Sequence, residues 1–285
     1  MNVRSLREFI FEANRKNIAL GHFNFAEATV LKAVAEAARE LNVPVILGAS
    51  EGERNFIGVK QAAALVKSHR NQGLNLFLNA DHTKSLEKIK EAVAAGYDAV
   101  LFDGSELPLE ENIRKTKEVV AWVKTNNPNI VVEGEIGYIG SSSKLLEAVP
   151  AGIEMTSVEE AVRFVQETGV DMLAPAVGNI HGMLVNAPEP KLDIERIKAI
   201  KAAVKVPLVL HGASGNTDED IKAAIEAGIS IIHINTEIRS AWRNSLTDYL
   251  VKNPKEIAPY KILQSAEMAA KEVITKKAKL FYGIS

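Results

Sequence analysis

Short apolar runs rich in β-branched residues alternate along this chain with longer stretches of helical period. The runs ALGHFNF (19–25), PVILGA (44–49), NLFLNADH (75–82) and YDAVLFDG (97–104) read as strands. IVVEGEIG (130–137), VDMLAPAVG (170–178), VPLVLHG (206–212) and SIIHINTE (230–237) continue the series. Several are continuously apolar rather than alternating, which marks a parallel sheet buried on both faces. Helical patterns lie between them, for example Ala28–Leu41, Ser85–Ala95, Leu109–Lys124 and Ser157–Thr168. The last opens with a capping box, Ser157 with Glu160 three residues on. About eight strand-then-helix units predict an α/β protein, a (β/α)8 TIM barrel with residues 1–285 as a single domain. An open doubly wound sheet is the rival architecture.

Two stretches break the rhythm. Residues 138–156, YIGSSSKLLEAVPAGIEMT, form a long irregular connection after the fifth strand, and such a loop in a barrel suits an active-site lid. From about Ile238 to Lys279 the chain carries extra C-terminal helices beyond the needs of an eighth unit. They are expected to pack under the barrel or against a second subunit.

Composition narrows the partners. Lys plus Arg number 34 against 36 for Asp plus Glu, so no electrostatic footprint for nucleic acid or an anionic membrane exists. An anionic ligand has to be gripped locally. With no cysteine, disulfides, thiolate metal sites and a cysteine nucleophile are all excluded. The charged N-terminus does not resemble a signal peptide, and no apolar run reaches membrane-spanning length, so a cytoplasmic protein is expected.

Barrels of this kind hold their chemistry at the C-terminal ends of the strands. Those ends carry Asn24, Asp81, His82, Asp103, Glu133, Glu135, His181, His211, His233 and Asn235. Five of the six histidines, all but His69, fall at or just past a strand end. One such histidine alone is more simply structural. His82, His181 and His211, on the third, sixth and seventh strands, would converge on one mouth and form an open three-imidazole site for a divalent metal. Asp81, beside His82, is either a general acid/base or a carboxylate that orients a ligand imidazole. Asp103 and Glu135 offer further oxygen ligands. Glu133 shares the parity of Glu135, so both face the same way, one as a ligand candidate and the other behind the ligands. The loop Gly212-Ala213-Ser214-Gly215, followed by Asn216-Thr217 opening a helix, suits an anion on backbone N–H groups, with Gly182 and Thr236 placed to add contacts.

NADH (79–82), VEGEIG (132–137), GNIHG (178–182), LHGASG (210–215) and HINTE (233–237), with GHFNFAEAT at the start, resemble in order the signature of class II, metal-dependent ketose-bisphosphate aldolases. The resemblance runs from about Ser5 to the last strand. It implies that His82, His181 and His211 bind the catalytic zinc, or another divalent metal. Glu135 and Asp103 would serve an alternative or second metal position, and a second or monovalent cation is a further expectation. Asp81 would exchange a proton with the C4 hydroxyl of the sugar. Asn24, Gly182, Gly212, Ala213, Ser214, His233, Ile234, Asn235 and Thr236 would bind the phosphorylated ketose. The implied reaction is reversible cleavage of fructose 1,6-bisphosphate to dihydroxyacetone phosphate and glyceraldehyde 3-phosphate, in a dimer or tetramer. A tagatose bisphosphate or another ketose phosphate is the alternative.

No lysine sits at a predicted strand end on the mouth, which favours a metal over a lysine Schiff base. Of the lid carboxylates Glu147 and Glu154, Glu147 is assigned the C3 proton. The sequence departs from the family at Val185, where relatives commonly carry a phosphate-facing lysine, at His233, commonly asparagine, and at Asn235, aspartate in some. Two other readings stand beside the aldolase: a barrel metallohydrolase, which the phosphate loop does not support, and a metabolite-binding barrel without turnover.

Overall fold

A computed structural model describes residues 4–140 and 143–284. Eight strands close a parallel barrel: β1 (Leu20–Asn24), β2 (Val45–Ala49), β3 (Leu76–Thr83), β4 (Ala99–Asp103), β5 (Val131–Ile136), β7 (Met172–Pro175), β9 (Leu208–Leu210) and β10 (Ile229–Ile234). The helices α2 (Ala28–Leu41), α3 (Glu51–Ile57), α4 (Val59–Arg70), α5 (Leu86–Ala95), α6 (Leu109–Asn126), α7 (Val158–Thr168), α8 (Ile194–Ala203) and α9 (Asp218–Ala227) fill the crossovers. The capping box expected at Ser157 and Glu160 is formed, with Ser157 as the N-cap of α7.

The two-residue period of the strands divides the barrel wall. Outward residues such as Leu47, Leu78, Val100, Val132 and Ile232 join the core under the helices. Gly134 faces outward between the two acids of β5, because a Cβ there would lie 2.6 Å from the Phe164 ring of α7. The inward set is split by height. Leu20, Ile46, Phe77, Val131, Val209 and Ile231 form an apolar lower plug with Leu6, Phe9 and Ile10 of α1 (Leu6–Lys16), which stoppers the bottom. Above them the inward positions turn polar, with His22, Asn79, Glu133 and His211 all buried. Apolar filling below and polar filling above fix which end can do chemistry.

The connection after β5 contains a short strand, β6 (Leu145–Leu146), paired in parallel with β8 (Met183–Leu184) from the loop after β7. The lid is thus tied to the segment carrying His181. The C-terminal helices α10 (Thr236–Lys252) and α11 (Pro259–Tyr282) do not lie under the barrel, where α1 sits. Instead α11 flanks it against α2 and β1, with Phe281 stacked parallel on Phe23. Among the described residues no helix is long and apolar enough to cross a membrane.

Candidate active site

The polar end of the barrel opens into a cavity of about 230 Å³. Three imidazoles meet there from separate strand ends: His82–His181, His82–His211 and His181–His211 ring centroids lie 4.7, 4.9 and 5.9 Å apart. His181 donates from Nδ1 to the Gly140 carbonyl at 2.7 Å, which leaves the Nε2 lone pair free. His211 donates from Nε2 to Glu133 Oε1 at 2.8 Å, which frees Nδ1. His82 donates from Nδ1 to Asp103 Oδ2 at 3.0 Å, with Glu135 Oε2 at 3.4 Å. Glu133 thus backs an imidazole, while Glu135 joins the ligand cluster.

One ligand atom each from His82, Glu135, His181 and His211 lies within 4.8 Å of the others, and Glu135 Oε2 is buried without a hydrogen-bond partner. Three nitrogens and an oxygen, each imidazole oriented by a carboxylate or carbonyl behind it, fit a tetrahedral zinc-type ion. Asp103 stands behind His82 and is not part of that four-residue cluster.

The three imidazoles differ electrostatically. Burial lowers the pKa of His82, but the charges of Asp81 and Glu135 and the Asp103 hydrogen bond outweigh it and hold the ring well above its ordinary value. His211 is raised in the same way, chiefly by Glu133 against burial. Burial, helped by the neighbouring imidazoles, pushes His181 down to about 3.

The backbone at His82 is unusual. Its φ is 40°, a left-handed conformation in a non-glycine residue. The buried Arg54 of α3 bonds to the carbonyls of Ala49 and Asp81 and to Thr83 Oγ1, so it clamps the chain on both sides of His82.

Asp81 Oδ2 accepts from Asn24 Nδ2 at 2.8 Å, while Oδ1 is buried with no partner. The same Asn24 amide reaches Glu53, which pairs with Arg239. Burial would raise the Asp81 carboxyl, but the imidazoles of His82, His22 and His211 and the Asn24 bond hold it well below the usual carboxylate range. Asp81 is therefore an ionised carboxylate with one oxygen held and the other open.

On the far side, Gly212 has φ 57°, and a Cβ there would lie 2.2 Å from the Ile180 carbonyl, so the chain turns only with glycine. Gly212, Ser214, Asn235 and Thr236 line the cavity, where α10 begins with no cap from Asn235 and the Glu237 N–H donates to Ser214 Oγ at 3.3 Å. A helix start beside small residues suits an anion. Gly182, Asn24 and His233 also line the cavity. The side chains of Ala213 and Ile234 are buried in the core under the helices, so any contact they make is through their backbones. Glu147 is exposed beside β6 and does not line the cavity, and Glu154 lines a separate cleft.

Two cations escaped the sequence reading. Lys84, the first residue past β3, and Arg239, in the first turn of α10, both line the mouth. Lys84 pairs with Glu106 at 2.9 Å; partial burial lowers its pKa, but that pair and Asp103 raise it on balance. The expectation of a mouth without lysine is thus corrected. As a held ammonium, Lys84 is a poor nucleophile for a Schiff base. Val185 is exposed on the neighbouring loop.

A family model described as fructose-bisphosphate aldolase class-II matches residues 4–284. A 6-phospho-5-dehydro-2-deoxy-D-gluconate aldolase of Shouchella clausii is 37% identical over 274 residues, which span 95% of this chain and 91% of that one. A fructose-bisphosphate aldolase of Staphylococcus aureus is 35% identical, covering 99% and 98% of the two chains. The crystal structure of the YdjI aldolase from Escherichia coli K12 superposes with a TM-score of 0.83 at 33% identity, over 97% of this chain and 96% of that one. These matches overturn the hydrolase and binding-protein readings: the chain belongs to the class II fructose-bisphosphate aldolase family and is a lyase.

Proposed function

We propose that this lyase cleaves a ketose 1,6-bisphosphate, with fructose 1,6-bisphosphate the first choice, to dihydroxyacetone phosphate and glyceraldehyde 3-phosphate. The observation that carries the reading is the open, ionised Oδ1 of Asp81 beside three converging imidazoles. Zinc held by His82, His181 and His211 would supply a Lewis acid for the ketose carbonyl. Cobalt, iron and manganese suit the same donors.

The chain's own groups account for the proton and the phosphate. Asp81 Oδ1 takes the proton of the C4 hydroxyl; the C4–O electrons form the aldehyde carbonyl, and the C3–C4 bond breaks with its pair left on C3. Asn24, bonded to the other oxygen, keeps Asp81 from rotating and sheds no proton of its own. The start of α10 with Gly212 and Ser214 binds the phosphate on the ketone half. Lys84 and Arg239, on the rim, face the charged end of the aldehyde half. Glu147 is assigned the return of a proton to C3, which needs the lid to fold inward about the β6–β8 ladder.

A second ketose substrate has its own support. The Shouchella relative is named for a different phosphorylated sugar acid, and Val185 provides no cation on the phosphate side. The test is coupled cleavage of fructose 1,6-bisphosphate, tagatose 1,6-bisphosphate and 6-phospho-5-dehydro-2-deoxy-D-gluconate, compared by kcat/KM, with and without chelator. Activity is expected to vanish on chelation and return with zinc. Cleavage that survives a strong chelator but stops on borohydride trapping would refute the metal route. We also infer a homodimer or tetramer, since Leu250, Val251, Ile257 and Tyr260 leave apolar surface exposed where α10 meets α11; light scattering measures it.

A further inference from the structure

Beside the three converging imidazoles, with the His233 ring 3.8 Å from that of His211, lies a second pair that the reaction as drawn leaves unused. His22 of β1 and His233 of β10 are direct partners across the strand ladder. Their rings stack face to face, centroids 3.4 Å apart and planes 5° apart. His233 lines the cavity, 3.6 Å from Asp81 Oδ1, and both of its nitrogens are buried without a hydrogen-bond partner. A neutral imidazole carries one donor and one acceptor, and leaving both unmet in a core is costly unless a ligand meets them.

His22 is fully buried and does not reach the cavity. Its Nε2 accepts from the Asn79 amide at 3.1 Å. On β2, Gly48 clears space for it, since a Cβ there would sit 2.0 Å from His22 Cε1. The barrel thus devotes three inward positions, His22, Asn79 and Gly48, to holding one ring flat against another. A metal ion shared by the pair does not explain this. Imidazole lone pairs lie in the ring plane, and two rings in parallel planes aim theirs side by side instead of at a common point.

We propose that His22 is a positioning residue: stacked on His233 and locked by Asn79 and Gly48, it fixes the plane of the His233 ring so that a His233 nitrogen meets a hydroxyl of the sugar phosphate beside Asp81. The inference rests on the aldolase reading and deepens it, for it makes His233 a reader of hydroxyl configuration near the bond that breaks.

The test is a double-mutant cycle on the zinc-loaded enzyme, with cleavage of fructose and tagatose bisphosphates and calorimetric binding of dihydroxyacetone phosphate as readouts. His22→Gln keeps a partner for Asn79 but no stack, whereas His22→Phe keeps the stack and loses the bond. If stacking matters, kcat/KM falls at least about tenfold in His22→Gln, and His22→Phe stays within about threefold of wild type. His22→Gln should also cost little more once His233→Ala is present, and the ratio of the two substrates should shift in both single variants. Thermal unfolding of each variant separates loss of fold from loss of alignment. Additive losses in the cycle, or Phe no better than Gln, overturn the positioning role while the aldolase stands. A wild-type protein that neither cleaves a ketose bisphosphate nor binds dihydroxyacetone phosphate overturns the aldolase reading, and this inference with it.

Discussion

Replacing Arg54 by methionine keeps most of the buried apolar stem and removes the guanidinium that straddles His82. The carbonyls of Ala49 and Asp81 lose their Arg54 donor, while Thr83 Oγ1 keeps its own bond to the Ala80 carbonyl at 3.1 Å. Two lost guanidinium–carbonyl bonds at about 1–3 kcal/mol each put the gross loss at about 2–6 kcal/mol. Relief from burying a guanidinium that has no hydrogen-bonded carboxylate returns part of this, so a net loss of about 2–4 kcal/mol is expected. For a chain of this size that is a fall in Tm of about 3–7 °C. The more pointed consequence concerns the metal. A left-handed non-glycine residue costs about 1–3 kcal/mol and persists only while its surroundings over-determine it. With the clamp gone, His82 relaxes and zinc affinity falls about 10–100-fold, the usual effect of losing a group that orients a ligand. Competitive chelator titration and the visible spectrum of the cobalt-loaded protein measure this directly. Should the variant melt early yet bind zinc as tightly as wild type, the guanidinium supports the fold alone and the strain argument fails. An unchanged Tm would instead refute the hydrogen-bond accounting.

Other perturbations address other parts of the site. Asp81→Ala should retain bound zinc and lose about 10²–10⁴-fold in cleavage rate, measured by metal content and kcat on one preparation; normal turnover would remove its proton-transfer role. Because His82 and His211 titrate above their ordinary value before metal arrives, protons must leave as it binds. Zinc affinity should therefore rise with pH and keep rising above about 6.5, with proton release seen by calorimetry in buffers of different ionisation enthalpy; affinity flat from pH 6 upward, taken as about that value on the same scale, contradicts the raised values. Lys84→Met should raise KM by about 3–30-fold with kcat nearly unchanged, because a rim cation binds ground and transition states alike. Glu147→Gln should slow exchange of the C3 hydrogen of dihydroxyacetone phosphate with solvent deuterium, and exchange at the wild-type rate would discard Glu147 as the shuttle.

Much of this could be read from the letters because two local rules, strand ends as the seat of chemistry and the alternation of faces along a strand, bear on both fold and site. The first put His82, His181 and His211 at one mouth, and the second made Glu133 and Glu135 point the same way. Applied with equal rigour to β10, it would have sent Ile234 outward, where its side chain lies, since His233 faces in. HINTE is therefore not a continuous patch of ligand side chains. Ala213 follows the same logic: a glycine-rich loop recognises anions with its backbone, and its one methyl group is free to fill the core. Lys84 and Arg239 carried no such signal, since a solvated charge and a charge on the rim of a cavity look alike until the barrel closes.

His22 marks the deeper boundary. Counted among the strand-end histidines, it sits inside the wall, and its role depends on pairing the first strand with the last. No local window contains both rings of that stack, together with the glycine on β2 that makes room for it and the amide on β3 that holds its edge. The left-handed turn at His82 is equally invisible, because it is enforced by an arginine from α3, a helix that follows the preceding strand. Both features share one physical origin. Closing the barrel brings residues distant in sequence into contact at fixed heights, and the sequence period specifies the height of each while leaving the neighbours unspecified. Which residues face inward is therefore a local property, and which of them constrain one another is a property of closure. Substitutions at Arg54 and His22 accordingly test the closed barrel, whereas those at Asp81 and Lys84 test the chemistry it carries.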